Sequence, residues 1–85
     1  MLRPVAGLKY KHYLRDLGEI VKTRALETKE ERAREQKGSA DYHFQCGHLL
    51  AFNEVISILR QQAEGFDISL YDLNLGDIDP DRDLV

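Results

Sequence analysis

The sequence predicts an all-α protein built on a long antiparallel helical hairpin. Apolar residues recur at steps of three and four in two separate stretches, which is the spacing of one face of an α-helix. Gly38 and Ser39 lie between the two stretches, and this pair can end one helix and begin the next. A connection this short places the two helices side by side and antiparallel. The 85 residues make a single domain, and a short irregular acidic tail completes it.

The first helix is predicted over residues 7–37. Gly18 lies inside its apolar stripe and costs about 1 kcal/mol relative to alanine. It marks either the close approach of another backbone or a tolerated weak point, and we favour the weak point. Residues 27–37 are almost entirely polar and favour a solvated helix end; an arm that docks a charged partner is the alternative. The apolar stripe consists of Tyr10, Leu14, Leu17 and Val21, with Tyr13 and Ile20 alongside.

The second helix is predicted over residues 41–65, after a turn at residues 38–40. Ser39 or Asp41 can cap it by accepting from its free N–H groups. Its apolar surface is wider than one antiparallel neighbour can cover, because Leu50 and Ile58 lie well away from the main stripe. That stripe consists of Tyr42, Cys46, Leu49, Phe52, Ile56, Leu59 and Ala63, widened by Val55 and Phe66.

This surplus of apolar surface predicts a homodimer, in which two hairpins form a four-helix bundle. Burying each leucine or isoleucine is worth about 1.5–3 kcal/mol. A domain this small needs such support, and its single cysteine cannot form an internal disulfide. Asn53 and Glu54 are expected to fix the register across the dimer. The predicted interface residues are Leu49, Leu50, Phe52, Val55, Ile56, Ile58 and Leu59.

The tail, residues 66–85, is predicted to follow a glycine stop at Gly65 with the apolar Phe66 just beyond it. Ser69 to Leu73 can form one helical turn. Residues 76–85 are expected to be extended or partly disordered, because Gly76 and Pro80 forbid a long helix. The leucines spaced along the tail indicate that it docks on an apolar surface.

Charge divides the chain into a basic and an acidic part. Residues 1–37 hold ten Lys/Arg and six Asp/Glu, a balance of +4, whereas residues 38–85 hold two and nine, a balance of −7. The acidic tail is therefore expected to pair with the basic first helix, in the same chain or in a partner subunit; a solvated tail or a segment that recruits a partner is the alternative. Lys11, Arg15 and Lys22 share one side of that helix and give an alternative prediction, a small nucleic-acid-binding regulator.

Two clusters resemble metal sites but lack the required spacing. His43, Cys46 and His48 diverge around a helix, and zinc needs converging ligands; Cys46 is expected to be a small apolar filler. The acidic run Asp77, Asp79, Asp81 and Asp83 lacks the glycine and the later glutamate of a calcium loop. No cofactor is predicted.

The remaining signals favour a non-enzymatic cytoplasmic protein. No catalytic grouping is evident, no run approaches the roughly 18 apolar residues of a membrane span, and the first residues lack the apolar block of a signal peptide. Residues 47–66, GHLLAFNEVISILRQQAEGF, and 78–85, IDPDRDLV, resemble small uncharacterised bacterial and prophage-encoded proteins. The resemblance implies a small accessory protein and transfers no site residue. The leading functional prediction is a self-associating protein–protein interaction module.

Overall fold

The computed structural model describes residues 5–85, and within that range the chain is helical and contains no strand. Two long helices, α1 (Val5–Arg34) and α2 (Ala40–Gly65), pack against each other as the predicted hairpin. A 3₁₀ turn (Leu70–Leu73) and a short helix, α3 (Pro80–Asp83), follow. The 3₁₀ turn contacts both long helices and α3 contacts α2, so the tail is part of the folded domain.

The connection between the long helices is longer than the predicted turn. α1 ends at Arg34, three residues before the predicted end at residue 37, and the turn occupies residues 35–39. Gly38 adopts the left-handed conformation with φ 85°, as a helix-ending glycine does. The Ser39 hydroxyl accepts from the N–H of Tyr42 at 3.0 Å. Of the two predicted caps of α2, Ser39 and Asp41, the structure shows Ser39 in this role.

The end of α2 lies at the predicted residue but forms by a different mechanism. The left-handed residue is Asp67, with φ 58°, and not Gly65. The N–H of Ile68 bonds to the carbonyl of Ala63 at 2.7 Å, and the N–H of Asp67 bonds to that of Glu64 at 3.1 Å. These two bonds define a Schellman motif. Phe66 is 71% exposed and is not its apolar partner.

The expectation that residues 76–85 are extended or partly disordered is wrong. Ile78 and Leu84 are buried, and Pro80 begins α3. With Leu75 they fill the groove between the long helices, so the predicted docking of the tail on an apolar surface is confirmed. The shared core consists of Ala25, Leu49, Ile56, Ala63, Leu73, Leu75, Ile78 and Leu84.

Gly18 marks a close approach, so its interpretation as a tolerated weak point is wrong. The tail crosses α1 here, and a Cβ at position 18 would overlap the carbonyl oxygen of Leu73. The side chain of Leu75 lies just beyond. Only glycine lets the backbone of the tail lie this close to the helix.

Among residues 5–85, no helix combines the length and the apolar character needed to cross a bilayer.

Candidate functional site

The tail covers one side of the hairpin and is held there by donors from both helices. On α1, Lys29 donates to the carbonyl of Asp83 at 2.7 Å and Arg32 to that of Val85 at 2.8 Å. On α2, Asn53 donates to the carbonyl of Pro80 at 2.8 Å, and Arg60 donates to that of Ile78. The opposite side of the hairpin carries no tail. We call it the open face; Val55 and Ile58 of α2 and Tyr13 and Ile20 of α1 lie on it.

An ion pair between Lys22 and Asp77 adds to this attachment. The ammonium lies 3.0 Å from the Asp77 carboxylate and 3.5 Å from that of Glu19. Burial lowers the pKa of Lys22, but the hydrogen bonds and charges of the two carboxylates outweigh this effect and raise that pKa overall. The hydrogen bond from Lys22 lowers the pKa of Asp77. The acidic tail therefore pairs with the basic helix within one chain.

Two further tail carboxylates, those of Asp79 and Asp83, stabilise α3. Asp79 caps it by accepting from the N–H of Asp81 at 3.0 Å. Asp83 accepts from Arg82 and, at 2.9 Å, from the N–H of Asp79. The hydrogen bond from Arg82 lowers the pKa of Asp83 most strongly, and the hydrogen bond from the Asp79 N–H lowers it further. Three of the four aspartates in the calcium-like run are thus engaged within the chain.

Acid is expected to loosen the tail. A carboxyl pKa that is lowered in the fold gives stability that is complete above the unfolded value, near pH 4, and is lost as the pH falls through the lower value of the folded state. Asp77→Asn should therefore lower the melting temperature at pH 7 and lower it less at pH 2. At pH 7 the variant should lose less than about 1 kcal/mol of unfolding free energy, because the Asp77 side chain is largely exposed. Equal differences at both pH values would contradict this role for the ion pair.

The open face of α2 carries a second apolar series, distinct from the core. At about 100° per residue, Asn53 and Arg60, which hold the tail, lie to one side of the core residue Leu49. The series lies to the other side, about 100–180° from Leu49. Its steps of four, three, four and three match the seam of a coiled coil. All its members are exposed: Phe44, His48, Ala51, Val55 and Ile58.

α1 adds apolar residues to the open face over only half of its length. Tyr13 is 64% and Ile20 is 51% exposed, and Leu17 between them is half-buried. The same 3–4 series continues towards the turn as Arg24, Glu27 and Glu31, so the face changes from apolar to charged along α1.

The register of the hairpin shows which residues of the two helices lie side by side. Since Arg34 ends α1 and Ala40 begins α2, positions whose numbers sum to about 74 lie at one level. Tyr13, Leu17 and Ile20 therefore lie beside Val55 and Ile58, and we call this group the apolar half. Nearer the turn, the charged half consists of Arg24, Glu27 and Glu31 beside His48 and Phe44.

The structure divides the predicted interface residues among four environments. Leu49 and Ile56 are 1% and 0% exposed within a single chain, so we assign them to the core. Phe52 and Leu59 are half-buried against that core. Leu50 is exposed on the tail side of α2, about 80° around the helix from Ile58. Asn53 binds the tail of its own chain, and Val55 and Ile58 lie on the open face.

Sequence reasoning missed Phe44 and His48 as members of the open face. The imidazole of His48 stacks between Phe44 and Phe52, with ring centroids 5.7 and 5.1 Å apart. The sequence signal for these two residues is the alternating spacing of four and three residues from Phe44 to Ile58. Considering single residues away from the main stripe, one at a time, does not detect it. Cys46 is half-buried, with its sulfur 4.0 Å from the Arg32 guanidinium, and no group of three metal-binding side chains converges within residues 5–85.

The three cations of the predicted nucleic-acid patch are not all available to bind phosphate. Lys11 and Arg15 are exposed on α1. The side chain of Lys22 is only 12% exposed and is occupied by Asp77 and Glu19. Two separate cations are a small part of the phosphate contacts that such binding uses.

Comparisons of the chain with protein-family models, with curated proteins and with solved structures gave no match.

Proposed function

We propose that the protein is a non-enzymatic, self-associating interaction module that pairs with a second copy through its open face. The observation that carries the proposal is the coiled-coil spacing of exposed apolar residues on α2, continued across α1. The tail already fills the opposite groove, so this series has no cover within residues 5–85. Packing two such faces together gives a four-helix bundle.

The size of the face suits a stable dimer. α2 has 26 residues, hence a length of about 39 Å at 1.5 Å per residue, and the molecule is 20 Å wide. The product is on the order of 800 Å², which is the upper limit for this face and equals what each partner of a standard interface buries. We propose a second copy as the partner because its open face has the same length and carries the same apolar series. The series of each copy can then cover that of the other.

Nucleic-acid binding is the alternative function, and the engagement of Lys22 by the tail counts against it. It would require a patch centred on Lys11 and Arg15, with an affinity that falls steeply as salt rises. Gel-shift titration with DNA and RNA at low salt is expected to show no complex. A salt-sensitive shift would favour the alternative.

The experiment for the proposed module is a concentration series followed by amide NMR. As protein concentration rises from about 10 to 500 μM, a span that covers micromolar affinities, resonances of Tyr13, Ile20, Val55 and Ile58 should shift together. Those of the tail residues in the opposite groove should remain in place. Shifts confined to the tail, or no shifts in a chain that sediments as a monomer, would contradict self-association through the open face.

A further inference from the structure

The division of the open face into an apolar and a charged half restricts how two copies can pair. The apolar half is centred on Leu17 and Ile58, which lie at nearly one level because their numbers sum to 75. The charged half begins about seven residues, or about 10 Å, nearer the turn. A favourable pairing brings the apolar halves together and keeps the charged halves in water, because an unpaired charge is costly to bury.

One symmetric arrangement places both turns at the same end of the bundle. Each α1 then lies against α2 of the other copy along its whole length. Glu27 and Glu31 would be packed against the partner's His48 and Phe44, and Arg24 against its Ala51. All three charges leave water in both copies, with no opposite charge at the same level of the facing helix.

The other symmetric arrangement places the turns at opposite ends. Each helix then packs antiparallel to its own copy, and a two-fold axis at the level of Leu17 and Ile58 superimposes the two apolar halves. Glu31 lies beyond the described part of the partner's α1, whereas Arg24 and Glu27 lie opposite its first turns, at the levels of residues 10 and 7. Phe44 and His48 lie beyond the end of its α2, so the α2 part of the turn half projects into solvent.

Resting on the proposed self-association, we infer that two copies pair with their turns at opposite ends, about a two-fold axis at Leu17 and Ile58. Ile58 then meets the partner's Ile58. Tyr13 lies opposite the partner's Ile20, since both are three to four residues from the axis. Glu31 and the aromatic rings of Phe44 and His48 remain outside the overlap at both ends of the dimer.

Disulfide trapping tests this orientation. The test chain carries Ile58→Cys in a Cys46→Ser background, so that its only thiol is the new one. A disulfide needs Cβ atoms about 3.5–4.5 Å apart. With the turns at opposite ends, the two α2 helices are adjacent and their residues 58 meet at the two-fold axis, within this distance. With the turns at the same end, the two α2 helices lie diagonally across the bundle and are too far apart. Leu50→Cys in the same background is the matched control, because Leu50 is 62% and Ile58 is 58% exposed.

Mild oxidation should give about tenfold more cross-linked dimer for Ile58→Cys than for Leu50→Cys, given the distance requirement. Mixing Tyr13→Cys and Ile20→Cys chains should also give a cross-linked pair, which provides a probe that does not alter Ile58. If both reduced Cys variants sediment as dimers but neither probe cross-links above the control, the orientation is overturned and self-association stands. If the wild-type chain is monomeric, both proposals fail.

Discussion

Replacing Gly18 with alanine is expected to destabilise the fold by roughly 1–3 kcal/mol, the range for an overpacked contact. The added methyl group would overlap the carbonyl oxygen of Leu73, and a backbone atom cannot turn aside as a flexible side chain can. The tail must therefore move away from α1, which opens the packing around Leu75. Alanine favours helix by about 1 kcal/mol over glycine, so a net loss shows that the clash outweighs this gain.

Gly47→Ala provides the matched control, because Gly47 lies inside α2 with nothing within 4 Å of the added methyl group. Here the helix propensity acts alone, and the free energy of unfolding should rise by up to about 1 kcal/mol. Urea denaturation of both variants measures the two effects. If Gly18→Ala were as stabilising as Gly47→Ala, the described packing of the tail against α1 would be incorrect.

Replacing Ile58 with lysine is expected to convert the proposed dimer into a monomer. A symmetric interface contains two copies of Ile58, and losing the burial of each costs at least about 1.5 kcal/mol. The combined loss of about 3 kcal/mol weakens dimerisation roughly a hundredfold, and desolvation of the lysine charge adds to it. Sedimentation velocity near the wild-type dissociation constant should show the shift to monomer.

Leu50→Lys separates the open face from general apolar exposure. Leu50 is exposed to nearly the same extent as Ile58 but lies on the tail side of α2. The variant should sediment like the wild type and keep its helical content. Equal loss of dimer in both variants would place the interface on the edge of α2 instead. This test also separates two residues to which the sequence-based expectation gave the same role.

The hairpin could be predicted from the sequence because its signals are local. Apolar spacing identified both long helices, and Ser39 carries the side chain that caps the second one. The mechanism that ends α2 was harder to predict, because aspartate at position 67 adopts a left-handed conformation that glycine usually supplies. Asp67 is held there by the two Schellman hydrogen bonds and not by any preference visible in one residue.

The position of the tail could not be predicted from local pattern. Its buried residues have no helical or strand period, because it crosses the groove as a turn, an extended link and one short helix. Gly18 and Leu73 are separated by more than fifty residues, and only the fold shows that they touch. The same long-range packing binds Lys22 and Asn53 to the tail, and neither contact is visible in the pattern of its own helix.

The apolar surface of α2 that needs a cover was partly predictable, for a physical reason. Excess apolar width on α2 indicated that a second cover was needed, and the tail of the same chain supplies one. The tail takes one side, including Leu49 and Ile56, and leaves Val55 and Ile58 on the other. A helical wheel alone cannot separate a side covered within the chain from one left open, since both have the same composition.

The solution mass of the wild-type chain at micromolar concentration tests the central claim most directly. Sedimentation equilibrium at neutral pH should give twice the mass of one chain, returning towards one chain mass on dilution as a reversible dimer requires. A well-folded protein that keeps the mass of a single chain up to about 100 μM, a concentration above most specific dissociation constants, would contradict self-association through the open face.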